Sequence, residues 1–393
     1  MKALKNFFEK TKPYVQKGAK YHWLHSTHDA FFTLAFVPKN TSRSGSHIHD
    51  HIDLKRTMSF VIIALLPALL FGMYNTGYQH FKAIGELAST GFFTVFLYGL
   101  IKVLPVVIVS YVVGLGVEFA FAQMRGHEVN EGFLVSGMLI PLVMPINTPL
   151  WMVAVATVFA VIFGKEVFGG TGMNIWNPAL LARAFLFFAY PAQMSGDKVW
   201  VALKGSDKVV DGFTGATPMA DAAAGNIDFN VFDAFIGLIP GSIGETSTLA
   251  ILLGAVFLIM TGIGSWKIMV STVAGGMLMG IILNLFAGVQ GLSPAVAAYF
   301  SMPFWHHLVL GGFAFGAVFM ATDPVSAAQT DTGKWIYGFL IGVTAILFRV
   351  VNPAYPEGMM LAILLMNTFA PLIDHYVVEA NIQRRLKRVK VSA

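Results

Sequence analysis

Residues 95–123 read VFLYGLIKVLPVVIVSYVVGLGVEFAFAQ, twenty-nine positions with only two charges, Lys102 and Glu118. A helix that crosses the hydrocarbon core of a bilayer needs about 20 apolar residues, so this stretch is long enough to span. The composition of the whole chain agrees. Its 393 residues are 56% hydrophobic and 12% charged, which excludes a soluble globule. Nine further apolar runs flank the first, at 57–75, 132–147, 149–167, 177–191, 245–264, 267–288, 305–322, 335–351 and 357–376. The pattern predicts an all-α polytopic membrane protein with about ten transmembrane helices. Pro141, Pro145 and Pro178 lie in or beside the third and fifth runs. Prolines there predict broken or kinked helices that line a cavity.

A charge at a helix centre costs roughly 2.5–3.5 kcal/mol on insertion scales, so idle ones are disfavoured. Glu118, Asp323, Arg349, Glu357 and Asp374 stand in or at the edge of spans, and Lys165, Glu166 and Arg183 flank the turn Gly169-Gly170-Thr171-Gly172. Snorkelling or local pairing accounts equally well for Lys165, Glu166 and Glu357. Glu118 and Asp374 sit among apolar neighbours and point to function. The glycine turn admits a close ligand or a close helix crossing. It lacks the strand and the distal acid of a dinucleotide fingerprint, so no NADH site is visible. Cysteine is absent, which removes disulfides, cysteine-ligated iron–sulfur clusters and thiolate catalysis from this chain. No cleavable signal peptide is expected, because the first apolar run follows a long charged segment.

Residues 1–56 form a basic amino-terminal segment with ten Lys/Arg and interleaved aromatics. They read as membrane-surface or partner-packed sequence, and no nucleic-acid role is expected. His47, His49, Asp50, His51 and Asp53 form a candidate metal cluster, the three His alternating onto one side of an extended segment, and His22, His25 and His28 form another. Histidine-rich surface segments usually bind nothing specific, and no metal site is assigned. With the amino terminus inside, twenty Lys/Arg fall in inner segments and six in outer ones. The positive-inside rule then makes both termini cytoplasmic. A membrane domain covers 57–376, with a basic tail at 377–393. Met144-Pro145 and Asn177-Pro178 in one half echo Asp323-Pro324 and Asn352-Pro353 in the other. Five spans per half imply a 5+5 inverted repeat with sites at the repeat interface.

The outer segment 191–244 is the longest polar stretch within the membrane portion. It holds Asp211-Gly212-Phe213-Thr214-Gly215-Ala216-Thr217-Pro218, a small turn with two hydroxyls and a carboxylate. An ordinary surface turn is the plain reading.

Several segments carry a family resemblance. They are residues 127–133 (HEVNEGF), 165–172 (KEVFGGTG), 177–180 (NPAL), 183–191 (RAFLFFAYP), 240–245 (PGSIGE), 321–326 (ATDPVS) and 352–358 (NPAYPEG). In this order they resemble the B subunit of the sodium-translocating NADH:quinone oxidoreductase, essentially throughout from about Asp53. Residues 211–217 match that family's flavin-attachment pattern, Asp-x-x-Ser/Thr-Gly-Ala-Thr. The resemblance implies FMN esterified through its phosphate to Thr217, with Asp211, Thr214, Gly215 and Ala216 read by a flavin transferase outside the bacterial inner membrane. It further implies non-covalent riboflavin, looked for around Gly172, Asn174 and Asn177. Ubiquinone as substrate is tied to Gly114 and Glu118, and a sodium path to Asp374, with Asp323 a further candidate. No catalytic residue is singled out. The partners implied are the A, C, D, E and F components of a six-subunit redox-driven sodium pump. Two other readings stand beside this one. One is the D subunit of the related Rnf complex, which exchanges electrons with ferredoxin. The other is a solute channel or transporter, which would have no use for a flavin-attachment pattern.

Overall fold

The computed structural model describes residues 2–16, 19–36, 44–45, 54–126, 132–203, 213–225, 229–352 and 358–390. Two short amino-terminal helices, α1 (Lys2–Val15) and α2 (His25–Ala35), form a hairpin. His28 Nε2 and Thr11 Oγ1, 2.9 Å apart, join them. α2 rests on the membrane part through Phe31, whose ring lies edge-on to Phe119 at 6.2 Å. Among the described residues no group of His, Asp and Glu is arranged to hold a metal. The histidine-rich stretch 47–53 lies outside them.

The membrane part follows as α3 (Leu54–Ala83), α4 (Phe92–Arg125), α5 (Phe133–Leu142), α6 (Leu150–Gly164) and α7 (Pro178–Ala189). A short helix, α8 (Pro218–Ala223), precedes α9 (Thr248–Met260), α10 (Trp266–Leu285), α11 (Asp331–Val351) and α12 (Met359–Lys390). Side-chain caps set several of these starts. Asn177 Oδ1 accepts from the N–H groups of Ala179 and Leu180, and Ser247 and Thr330 cap α9 and α11. Gly126 ends α4 in the left-handed conformation that favours glycine.

Six helices among the described residues are long and apolar enough to cross a membrane, and three shorter ones, α5, α7 and α9, are apolar. The chain is an all-α, multi-pass membrane protein. Ten continuous spans are not found among the described residues. The expected run 305–322 is cut into His306–Val309, Phe313–Phe315 and a π-helical turn, Gly316–Met320. Gly311 and Gly312 between the pieces both have positive φ, at 64° and 67°, which no run of L side chains adopts comfortably. The expectation for Pro178 is corrected as well. It occupies the first turn of α7 behind the Asn177 cap, where its fixed φ suits a helix start and produces no kink. The proline-rich third run does break: α5 stops at Leu142, and Met144-Pro145 continues outside any helix.

Two buried arginines bind the ends of the broken segments. Arg183 on α7 donates to the carbonyl of Val143, just past α5, and to Ser242 Oγ at 2.9 Å, beside Glu245 at 3.3 Å. Arg349 on α11 donates to the carbonyls of His307 and Leu310, each at 2.6 Å. A carbonyl freed inside a bilayer needs such a donor, and a guanidinium serves several at once.

Candidate functional site

The helix ends expected on the inner side surround a cavity of about 100 Å³, the inner cavity. Gly172, Asn174, Asn177 and Asp323 all line it, together with Lys165. Asp323, which the sequence assigns to a different path, is thereby brought beside the three residues it groups for riboflavin. Leu139, Leu258 and Phe319 supply apolar wall. Asn177 spends its carboxamide oxygen on the α7 cap, so what it retains for a ligand is the amide NH₂. Asn174 donates to the carbonyl of Trp176 at 3.1 Å. Asp323 accepts from Ser326 Oγ at 2.7 Å and from the N–H of Val325 at 3.3 Å, which pins its carboxylate in the turn that follows the π helix.

Lys165 connects this cavity to Glu118. Its ammonium donates to Glu118 Oε1, both side chains being buried. Next to it, Arg125 binds Glu166 Oε2 at 3.1 Å and the Glu166 carbonyl at 2.7 Å. Glu118 therefore stands one residue behind the cavity, and local pairing is the arrangement found for Lys165 and Glu166. Gly114, one turn earlier on α4, lies under the ring of Phe133, where a Cβ would overlap the ring. Gly114→Ala is therefore expected to destabilise the α4–α5 packing by about 1–3 kcal/mol. A lower thermal midpoint, partly restored by Phe133→Leu, would verify this.

Asp374 lies elsewhere. From α12 its carboxylate accepts from the N–H of Gln329 at 2.6 Å and from the N–H and Oγ1 of Thr330 at 3.0 and 2.6 Å. It clamps the start of α11 and does not line the inner cavity.

The end expected on the outer side carries a second, smaller cavity of about 20 Å³, lined by Thr217, Ser242, Glu245, Thr246, Gly311 and Gly312 among others. Thr217 is only 5% exposed and caps α8, its Oγ1 accepting from the N–H of Ala220 at 3.2 Å. The open surface turn expected from the sequence is in this respect corrected: α8 packs beneath the helix Pro294–Ser301, with Tyr299 OH donating to the Met219 carbonyl at 3.0 Å. Thr214 is exposed and its Oγ1 accepts from the Ala216 N–H at 3.1 Å. Gly215 passes against the Asp197 carbonyl too closely for a side chain. Asp211 lies outside the described residues. On α8, burial and then the charge of Asp197 hold Asp221 above the usual carboxylate range.

α11 connects the two ends. It starts at the Asp374 clamp and reaches Arg349, whose Nη2 lies against Gly311. At 1.5 Å per residue, Asp331 and Arg349 are about 27 Å apart, close to the ~30 Å hydrocarbon thickness.

Residues 41–383 match the family model described as the NQR2, RnfD, RnfE family. The chain belongs to this family. Its relatives include the B subunit of the Na(+)-translocating NADH-quinone reductase of Chromohalobacter salexigens, 48% identical with 98% of this chain and 96% of the relative covered. The same-named subunits of Ectopseudomonas mendocina and Pseudoalteromonas atlantica are 49% and 46% identical, with 98% of this chain and 99% of each relative covered. Membership makes the chain a subunit of a redox assembly. The sequence passed over Thr246 and the Gly311-Gly312 pair; a doubled glycine inside an apolar run was the available signal for the latter.

Proposed function

We propose that this chain is the membrane subunit of a redox-driven sodium pump of the bacterial inner membrane, in which electrons from NADH reach ubiquinone. The observation that carries the reading is identity of 46–49% along essentially the full length of subunits with that name. NADH is handled by other subunits, and this chain works within the six-subunit assembly with A, C, D, E and F. Residues 1–56 and 377–393 face the cytoplasm, and 57–376 form the membrane domain. The helix α12 runs through residue 376 to Lys390, so the tail extends the last span.

The 5+5 inverted repeat is supported by matching neighbours. α4 packs on α6 as α10 packs on α11, α6 on α7 as α11 on α12, and α5 and the π-helical turn each pack against the first two helices of their half. Across the halves α3 meets α9 and α7 meets α12.

Thr217, within the outer motif of Asp211, Thr214, Gly215 and Ala216, carries FMN through a phosphate ester. The outer cavity suits the phosphate and not the ring, since 20 Å³ holds about one water-sized group. A transferase reaches a hydroxyl only when it is exposed, so attachment comes before the segment packs. At the inner cavity, amides from Asn174 and Asn177, the backbone at Gly172 and an ammonium between apolar walls fit the heteroatom edge and flat faces of riboflavin. Bound flavin supplies one- and two-electron chemistry. The residues orient it, exclude water through Leu139, Leu258 and Phe319, and set its electrostatics through Lys165. Ubiquinone reduction belongs to the inner side near Gly114 and Glu118. Asp323 and Asp374 supply oxygen ligands along a sodium path.

Membrane vesicles bearing the assembled complex test the reading. NADH-driven quinone reduction should rise with sodium. Ferredoxin-linked electron transfer without quinone reduction would instead identify the D subunit of an Rnf complex. Asp374→Asn should weaken the sodium dependence several-fold while leaving covalent flavin in place, and an unchanged sodium response would remove Asp374 from the ion path.

A further inference from the structure

The outer cavity contains a polar group that attachment at Thr217 does not use. Thr246 lines the same cavity, is 4% exposed, and has an Oγ1 buried with no hydrogen-bond partner among the described residues. Native proteins rarely leave such a hydroxyl unmatched unless a ligand or a water completes it. Gly311 and Gly312 also line it, as bare backbone. A Cβ there would stand 2.9 Å from Arg349 Nη2 or 2.9 Å from Glu245 Oε2. Glycine thus lets the cavity wall lie directly over buried charge. The negative charge of Glu245 is met by Arg183 at 3.3 Å, and the Arg349 guanidinium lies under the Gly311 side. Neither guanidinium lines the cavity itself; of the side chains that do, Glu245 is the charged one, neutralised by Arg183, and Thr246 and Ser242 bring hydroxyls.

We propose that Thr246 is a positioning residue for the phosphodiester at Thr217: its hydroxyl donates to a non-bridging phosphate oxygen lodged in the cavity, leaving the flavin ring outside. This rests on the reading that Thr217 bears the flavin. The cavity size sets the division, because it accepts a phosphate oxygen in place of about one water and excludes a fused ring. Thr246 holds the ester and has no part in forming it.

A density map of the assembled, flavin-loaded complex is the direct test. A phosphate oxygen at about 2.5–3.0 Å from Thr246 Oγ1 is the expected result; a buried water there, with the phosphate elsewhere, overturns the proposal. Thr246→Val and Thr246→Ser give an independent readout. The native complex is held in mild alkali for timed intervals and denatured, and the flavin fluorescence of this chain's gel band is followed. Val should keep the full band at zero time yet lose it about tenfold faster, the weight of one hydrogen bond to a charged group. Ser should follow the wild type. An unchanged rate in Val, or a band missing at zero time from an assembled Val complex, overturns the positioning role. Failure of the underlying reading is distinguishable, since the band would then survive Thr217→Ala.

Discussion

Replacing Thr217 by Ala is expected to abolish the covalent flavin fluorescence of this chain on a denaturing gel. The ester needs an Oγ, and Ala has none. Thr217→Val makes the same demand with nearly the same shape, so loss in both variants excludes a packing artefact. The structural cost is small by comparison. Thr217 Oγ1 caps α8 through the Ala220 N–H, and losing such a cap costs about 0.5–2 kcal/mol. α8 is also held by Tyr299 and the helix above it, so the variants should still assemble. Thr214, exposed and three residues earlier, is the nearest other hydroxyl along the chain, and because it belongs to the segment the transferase reads, Thr214→Ala should weaken the band without moving the attachment point. A band that persists in Thr217→Ala and disappears in Thr214→Ala would move the attachment point.

How much of this was legible in the sequence differs between the two ends. Long apolar runs at 57–75 and 95–123 declare α3 and α4, because length and composition alone decide whether a helix can span. The run 305–322 looks like another span, since hydropathy does not register the reversal of backbone hand at Gly311-Gly312. At the inner end Gly172, Asn174 and Asn177 could be named as one group, but Asp323 lies about 150 positions from them. Only the packing of the two halves joins them in one cavity. At the outer end the motif announced Thr217 but not its burial, which depends on Tyr299 and the helix Pro294–Ser301 far along the chain. Thr246 carried no local signal at all. An unremarkable threonine acquires meaning only when its hydroxyl is found buried without a partner beside Thr217.

The pair of Lys165 and Glu118 should show the second largest effect. Lys165→Met removes the ammonium that holds Glu118 Oε1, while Glu118 Oε2 has no hydrogen-bond partner among the described residues. The carboxylate would then be buried 4% exposed with no donor to either oxygen, and breaking one side of a buried pair costs roughly 3–5 kcal/mol. The expected outcome is poor assembly and a much lower thermal midpoint of the solubilised complex. Replacing both residues, as Glu118→Met with Lys165→Met, should recover most of that loss, because matched apolar side chains often pack as well as a buried ion pair. Double-mutant coupling of this kind separates the interaction from either residue alone; additive losses would mean that the two side chains do not depend on each other. The same double variant addresses purpose. If the charges serve only packing, quinone reduction returns with stability. If Lys165 sets the electrostatics of the inner cavity it lines, the complex assembles and accepts electrons from NADH but reduces quinone at least about tenfold more slowly, a barrier change of about 1.4 kcal/mol. A pair kept for stability alone could be exchanged for hydrocarbon; one that faces a redox cavity cannot.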